Sequence, residues 1–157
     1  MKLSTKGRYA MVALADLALQ PADALSSLGE VSKRQQISLP YLEQLFVKLR
    51  RAGLVDSVRG PGGGYRLAKP TDEITVADVL GAVDETVSAL QTGAGASGGS
   101  SGSKAQSLTN RLWENLSSHV YVFLHQTTLA DVVGNGLKPC PAVPSLFAVV
   151  DEADAAR

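Results

Sequence analysis

Cysteine is almost absent from this chain, with one residue, Cys140, among 157. A lone thiol cannot form an internal disulfide, which fits a reducing compartment, and the expected location is the cytoplasm. Aromatic residues are scarce at 5%, so the core must be built mainly from Leu, Val and Ala. No apolar run approaches the roughly 20 residues that cross a bilayer. No signal-type stretch follows residues 1–6 either, because Asp16 interrupts residues 9–19 and leaves them amphipathic. Membrane partners are therefore not expected. The constellations of catalysis are missing too: no Ser-His-Asp set, no paired acids and no metal motif. The chain is expected not to be an enzyme.

What is present is a globular composition, 45% hydrophobic and 19% charged, and an uneven distribution of charge. The net charge is zero, but residues 1–70 hold eleven Lys/Arg against five acids, and residues 71–157 hold four against ten. A basic half joined to an acidic half points to a polyanion-binding module on a neutral or acidic support.

The hydropathy pattern predicts the elements. Apolar positions 10, 11, 14, 17 and 18 have helical spacing, and Pro21 ends that helix. Ser27-Leu28-Gly29-Glu30 has capping-box spacing for a second helix to about Gln35. After a break at Gln35-Gln36-Ile37, Ser38 is a good N-cap for a third helix to about Ala52, with Pro40 tolerated in its first turn. Leu42, Leu45, Phe46 and Leu49 form its apolar face. Gly53 caps it, residues 54–58 alternate as a strand, and a glycine turn leads into a second short strand. Helix, helix, turn, helix, hairpin is the order of a winged helix-turn-helix. A helix over about 76–84 follows, with a short apolar piece at 87–90 that extends it, then a stretch of only Gly, Ala and Ser over 93–103. Leu108, Leu112, Leu116, Val120 and Phe123 mark a helix of about five turns over 105–125, and Thr128 opens a last short helix ending near Gly134.

Such a third helix fits the major groove of double-stranded DNA, the expected partner. Gln44 can bond bidentately to adenine, Ser38 can contact a base or phosphate, and Pro40 and Tyr41 share that surface, Tyr41 supporting a backbone contact. Lys48, Arg50 and Arg51 are placed for phosphates. Glu43 repels phosphate but can accept from cytosine N4, so it suits discrimination better than affinity. The run Gly60-Pro61-Gly62-Gly63-Gly64-Tyr65 lacks the Lys-Ser/Thr end and following helix of a nucleotide loop. It reads as the tip of a wing, where Gly60, Gly62 and Gly63 let the backbone approach phosphates or the minor groove while Arg59 reaches in.

Residues 1–10 (Met-Lys-Leu-Ser-Thr-Lys-Gly-Arg-Tyr-Ala), 37–46 (Ile-Ser-Leu-Pro-Tyr-Leu-Glu-Gln-Leu-Phe) and 58–65 (Val-Arg-Gly-Pro-Gly-Gly-Gly-Tyr) resemble the IscR-like family of winged-helix repressors. The likeness continues through Ala82-Val83-Asp84-Glu85 and Leu112-Trp113, and covers about residues 1–135. It implies a homodimer whose long helix pairs across the two-fold axis. It also implies control of iron–sulfur cluster assembly and iron genes, with the cluster-assembly machinery as a further partner.

The resemblance fails at the sensor. Family members that hold a [2Fe–2S] cluster carry three cysteines and a histidine just before the long helix. Here residues 93–106 contain neither, Ser107 stands at the third cysteine and Asn110 at the histidine. Three readings stay open: an iron–sulfur cluster with atypical ligands including Cys140, a thiol switch at Cys140, or no ligand at all. His119 and His125 are six residues apart, on different faces of one helix, and read as surface or interface residues; Trp113 reads as a packing anchor.

The expected fold is mainly α with a small β-wing. A winged helix-turn-helix occupies 1–70, a connecting helix 71–92, a flexible Gly/Ser/Ala loop 93–106, a dimerisation helix and short helix 107–135, and a tail containing Cys140 136–157. A dimer of this kind should read a pseudo-palindrome with half-sites about one turn apart. The rival is a winged helix used only for protein assembly, for which a basic wing is unnecessary.

Overall fold

A computed structural model describes residues 4–84 and 103–137. The apolar piece at 87–90, most of the Gly/Ser/Ala stretch and the tail from residue 138 on, with Cys140, lie outside the described residues. Six helices and a two-stranded antiparallel sheet appear among those described: α1 (Thr5–Ala18), α2 (Leu28–Gln35), α3 (Leu39–Arg51), β1 (Val55–Val58), β2 (Gly64–Leu67), α4 (Val76–Ala82), α5 (Lys104–Gln126) and α6 (Leu129–Val133). A 3-10 turn over Thr71–Glu73, not foreseen from the pattern, joins β2 to α4.

Local chemistry sets most boundaries. Four helices, α2, α4, α5 and α6, start with a closed capping box: Ser27 with Glu30, Thr75 with Asp78, Ser103 with Gln106, and Thr128 with Asp131. Each satisfies two backbone donors that a helix start leaves orphaned. The Ser103–Gln106 box starts α5 at Lys104, so residues 104–106 are helical rather than loop. Between α2 and α3 the chain turns through Gln36 at φ 56°, and the Ser32 hydroxyl closes the turn by donating to the Ile37 carbonyl at 2.6 Å.

Three helices and the sheet enclose one core. The inward face of α3 contributes Leu42, Leu45, Phe46 and Leu49, all buried, as its spacing predicts. They pack with Ala10, Ala13 and Leu14 of α1, Val31 of α2 and Val55 of β1. Ile74, Val79, Val83 and Leu129 complete the same core, so α4 and α6 seal the winged-helix unit from below. The Thr75–Thr128 bridge fixes that seal: the Val76 N–H donates to the Thr127 carbonyl at 2.9 Å, and the Leu129 N–H to the Ile74 carbonyl at 2.7 Å.

Candidate nucleic-acid interface

The burial of four α3 side chains decides which others face outward. At about 100° per residue, Pro40, Glu43, Gln44, Val47 and Arg51 form a stripe opposite Leu42, Leu45 and Leu49, and all five are exposed. Ser38 sits at the N-cap, but its hydroxyl makes no capping bond, so the backbone does not claim it. Tyr41 is half-buried, its ring edge-on to Tyr9 of α1 with centroids 5.7 Å apart. It braces the start of α3 as much as it presents a hydroxyl.

A buried acid ties α1 to the end of α2, just before the turn into α3. Asp16 is 4% exposed and accepts from Arg34 Nε at 3.0 Å, Arg34 Nη2 at 2.7 Å and Gln35 Nε2 at 2.7 Å. Burial pushes its carboxyl up, but the hydrogen bonds from Arg34 and Gln35 and the Arg34 charge outweigh that and leave it below the ordinary value. The Arg34 guanidinium also reaches the Ser26 hydroxyl at 3.3 Å. In the sequence Asp16 shows only as a break in an apolar run. An acid at helical spacing with buried Ala13 and Leu17 was the available signal for a buried partner.

The hairpin pairs Val55 with Leu67 and Val58 with Gly64. Its turn closes by the Gly63 N–H donating to the Gly60 carbonyl at 2.9 Å, around Pro61 and a Gly62 at φ +74°. Proline then left-handed glycine is the type II pattern. Gly63 and Gly64 are needed for a different reason. A Cβ on Gly63 would lie 2.2 Å from the Val58 carbonyl oxygen, and one on Gly64 2.7 Å from Ser26 backbone. The closeness of Gly64 lets Ser26 bridge Tyr65 as a one-residue third strand. Tyr65 in turn packs edge-on against Phe46 of α3, centroids 4.8 Å apart. Arg50, on the same side, donates to Ser57 Oγ of β1 at 3.2 Å. The hairpin and α3 are thus tied together, and Arg59 and Gly60 stand exposed at the hairpin tip.

Lys48 lies differently from its neighbours. Its ammonium is paired with Asp84, at the end of α4, and that contact holds the Asp84 carboxyl below its ordinary value. Asp84 was visible in the sequence only within a family-like block.

The long helix α5 has no buried residue along its 23 positions. Leu108, Leu112, Trp113, Leu116, Tyr121 and Phe123 are all at least 41% exposed. His119 and His125 are exposed, each ring Nδ1 near the carbonyl four residues back, of Asn115 and Tyr121 respectively. They do not converge. No cluster of three His, Cys, Asp or Glu side chains able to hold a metal occurs among the described residues. The two positions that match family cluster ligands within α5, Ser107 and Asn110, offer no thiolate or imidazole. The described residues therefore do not fit the usual cluster ligand set, and Cys140 lies outside them. No helix among the described residues is long and apolar enough to cross a membrane.

A family model described as "Rrf2: Iron-dependent Transcriptional regulator" matches residues 3–135. The chain is 73% identical over 154 residues to the HTH-type transcriptional regulator IscR of Cereibacter sphaeroides, covering 97% of this chain and 99% of that one. Among solved structures it is similar to T. potens IscR, with 35% identity, a TM-score of 0.67, and coverage of 94% of this chain and 96% of that one. It is also similar to CymR, "the Global Cysteine Regulator of B. subtilis", with 32% identity, a TM-score of 0.72, and coverage of 86% and 98%.

Proposed function

Since this chain belongs to the Rrf2 family of transcriptional regulators, we propose that it works as a homodimeric repressor of iron–sulfur cluster assembly or iron-responsive genes. It is a DNA-binding, IscR-type regulator, and its relatives are named as regulators rather than enzymes. The observation that carries the reading is one continuous surface. The exposed α3 stripe presents Glu43 and Gln44, Ser38 opens it with an unclaimed hydroxyl, and the glycine wing bearing Arg59 is tied to its side through Tyr65 and Arg50.

Each group has a distinct role. Gln44 and Glu43 read base edges, Ser38, Pro40 and Tyr41 shape the entry, and Arg50 with the wing residues Arg59, Gly60, Gly62 and Gly63 engages the backbone. Two α5 helices pair through the seam of Leu108, Leu112 and Leu116, since a helix of about 34 Å with no buried residue is not stable by itself in water. Two α3 helices related by that axis suit a pseudo-palindromic operator, and an occupied operator blocks the promoter. The cytoplasm is the compartment this implies.

The iron-linked signal enters without the three-cysteine loop. Its ligands fall to Cys140, the one thiol of the chain, with partners outside the usual set, and the cluster-assembly machinery is the source that would load them. A second reading, a thiol-redox signal at Cys140 or none, is favoured by the CymR likeness, a regulator named for cysteine. Iron content and visible absorption of anaerobically purified protein, beside Cys140→Ser, separate the two. Colour and iron lost in the variant support the first; a colourless, iron-free wild type that binds DNA supports the second.

The DNA reading is tested by binding at two salt concentrations. Arg59→Ala should weaken binding to all sequences and flatten the salt dependence, whereas changes at Gln44 or Glu43 should alter the preferred sequence. Equal losses on every sequence from both classes would sink the assignment of roles.

A further inference from the structure

The recognition stripe contains one side chain that neither hydrogen-bonding nor charge explains. Val47 is 50% exposed and belongs neither to the buried core nor to the hydrophobics packed against it. It follows Glu43 by one helical turn and Gln44 by three residues, which at about 100° per residue sets it between their directions. Leu42, Leu45, Phe46 and Leu49 already fill the inward face, so no inward rotation of the helix would bury Val47 without exposing them. Apart from Pro40 in the first turn, the rest of the stripe is Glu43, Gln44 and Arg51, so this branched apolar group stands beside polar and charged neighbours. It can neither donate nor accept, and it adds nothing to phosphate binding.

The edges of base pairs in the major groove offer one apolar group, the C5-methyl of thymine. We propose that Val47 is a specificity-determining residue that selects thymine by packing its methyls on that C5-methyl, one step along the groove from the base pair facing Glu43 and Gln44. The rise from Gln44 and Glu43 to Val47 is about 4.5–6 Å along the helix, so the thymine lies within one or two base pairs of theirs. The inference rests on α3 being the major-groove reader, and it adds a hydrophobic contact to a surface otherwise described by polar ones.

The test exchanges a single methyl on the DNA. An operator is first selected by the wild-type protein from a pool of random duplexes. Each of its thymines is then replaced in turn by uracil, which keeps every hydrogen-bonding group and lacks only the methyl. Affinities of wild type, Val47→Ala and Val47→Ser are measured by fluorescence anisotropy. The wild type should lose about fourfold per half-site at one symmetric thymine position, the worth of burying one methylene-sized group. Both variants should bind thymine and uracil equally there, with thermal midpoints not lowered, because Val47 is half exposed and outside the buried core. A uracil penalty kept in the variants, or no penalty at any thymine in wild type, overturns the inference. Failure of the wild type to select any sequence would instead overturn the major-groove reading and the thymine contact with it, a result distinguishable from the other two.

Discussion

The ammonium group of Lys48, on the outward side of the recognition helix, is held by the carboxylate of Asp84, thirty-six residues later at the end of α4. A cation expected from the sequence to meet phosphate is thus engaged by an internal anion in the free protein. Any DNA that takes Lys48 must compete with Asp84.

Asp84→Asn should release that cation. Asparagine tolerates the φ of 56° at this position, so the backbone need not move. Binding to non-operator DNA should tighten, and the slope of log affinity against log salt should steepen by about 0.9 per protomer. A titration at several salt concentrations reads this directly. An unchanged slope would show that Lys48 stays away from phosphates even when free.

The Asp16 network gives a stability test with a defined pH sense. Arg34→Ala leaves Asp16 buried with Gln35 alone, and should cost about 2–3 kcal/mol, since Arg34 is itself 36% exposed. That is a thermal midpoint roughly 10 °C lower. Because the folded carboxyl is depressed, its contribution is present above the unfolded value of about 3.9 and fades as pH falls through the folded one. Wild type and variant should therefore converge as the pH is lowered. Denaturation curves at pH 7 and in the acid range check the convergence.

In the wing, alanine at Gly63 should disrupt the hairpin, because its Cβ meets the Val58 carbonyl oxygen at 2.2 Å. A Cβ on Gly62 would meet nothing within 4 Å, and alanine there bears only the strain of φ +74°, about 1–2 kcal/mol. Gly63→Ala should lose most operator affinity with helical circular dichroism preserved, while Gly62→Ala should lose far less. Equal losses would mean that the turn, not the close approach, is what matters.

Leu112→Glu sets a charge in the exposed apolar seam of α5, where Leu112 is 57% exposed. Sedimentation should then give monomers at concentrations where the wild type gives dimers. Affinity for a two-site operator should fall toward that for one half-site. A dimeric variant would move the seam elsewhere.

Much of this architecture was legible in the sequence for a physical reason. The spacing 42, 45, 46, 49 reports a helix face directly, Ser27-x-x-Glu30 and Thr128-x-x-Asp131 report helix starts, and Pro61-Gly62 reports a turn. All of these act over a few residues. What stayed hidden acts over distance. Asp16 meets Arg34 and Gln35 eighteen and nineteen residues on, and Lys48 meets Asp84 twice as far away. Nothing in the local pattern pairs them. Gly64 looked like one more wing glycine, yet its need comes from Ser26 across the sheet. Val47 is outward by the same spacing, but an apolar side chain offers no donor, acceptor or charge that would mark it as a reader of DNA.

The clasp between Thr75 and Thr128 turns α5 into a lever. One end is pinned to the unit that carries α3 by two backbone bonds and by the buried Leu129, while the other end lies about 34 Å away. A rotation of about 5° at the pin sweeps the free tip by roughly 3 Å, close to one base-pair step. The same gearing runs in reverse when two tips are joined. In the proposed dimer, a small twist where the partners meet would change the span between the two α3 helices, and so whether both could seat on one stretch of DNA.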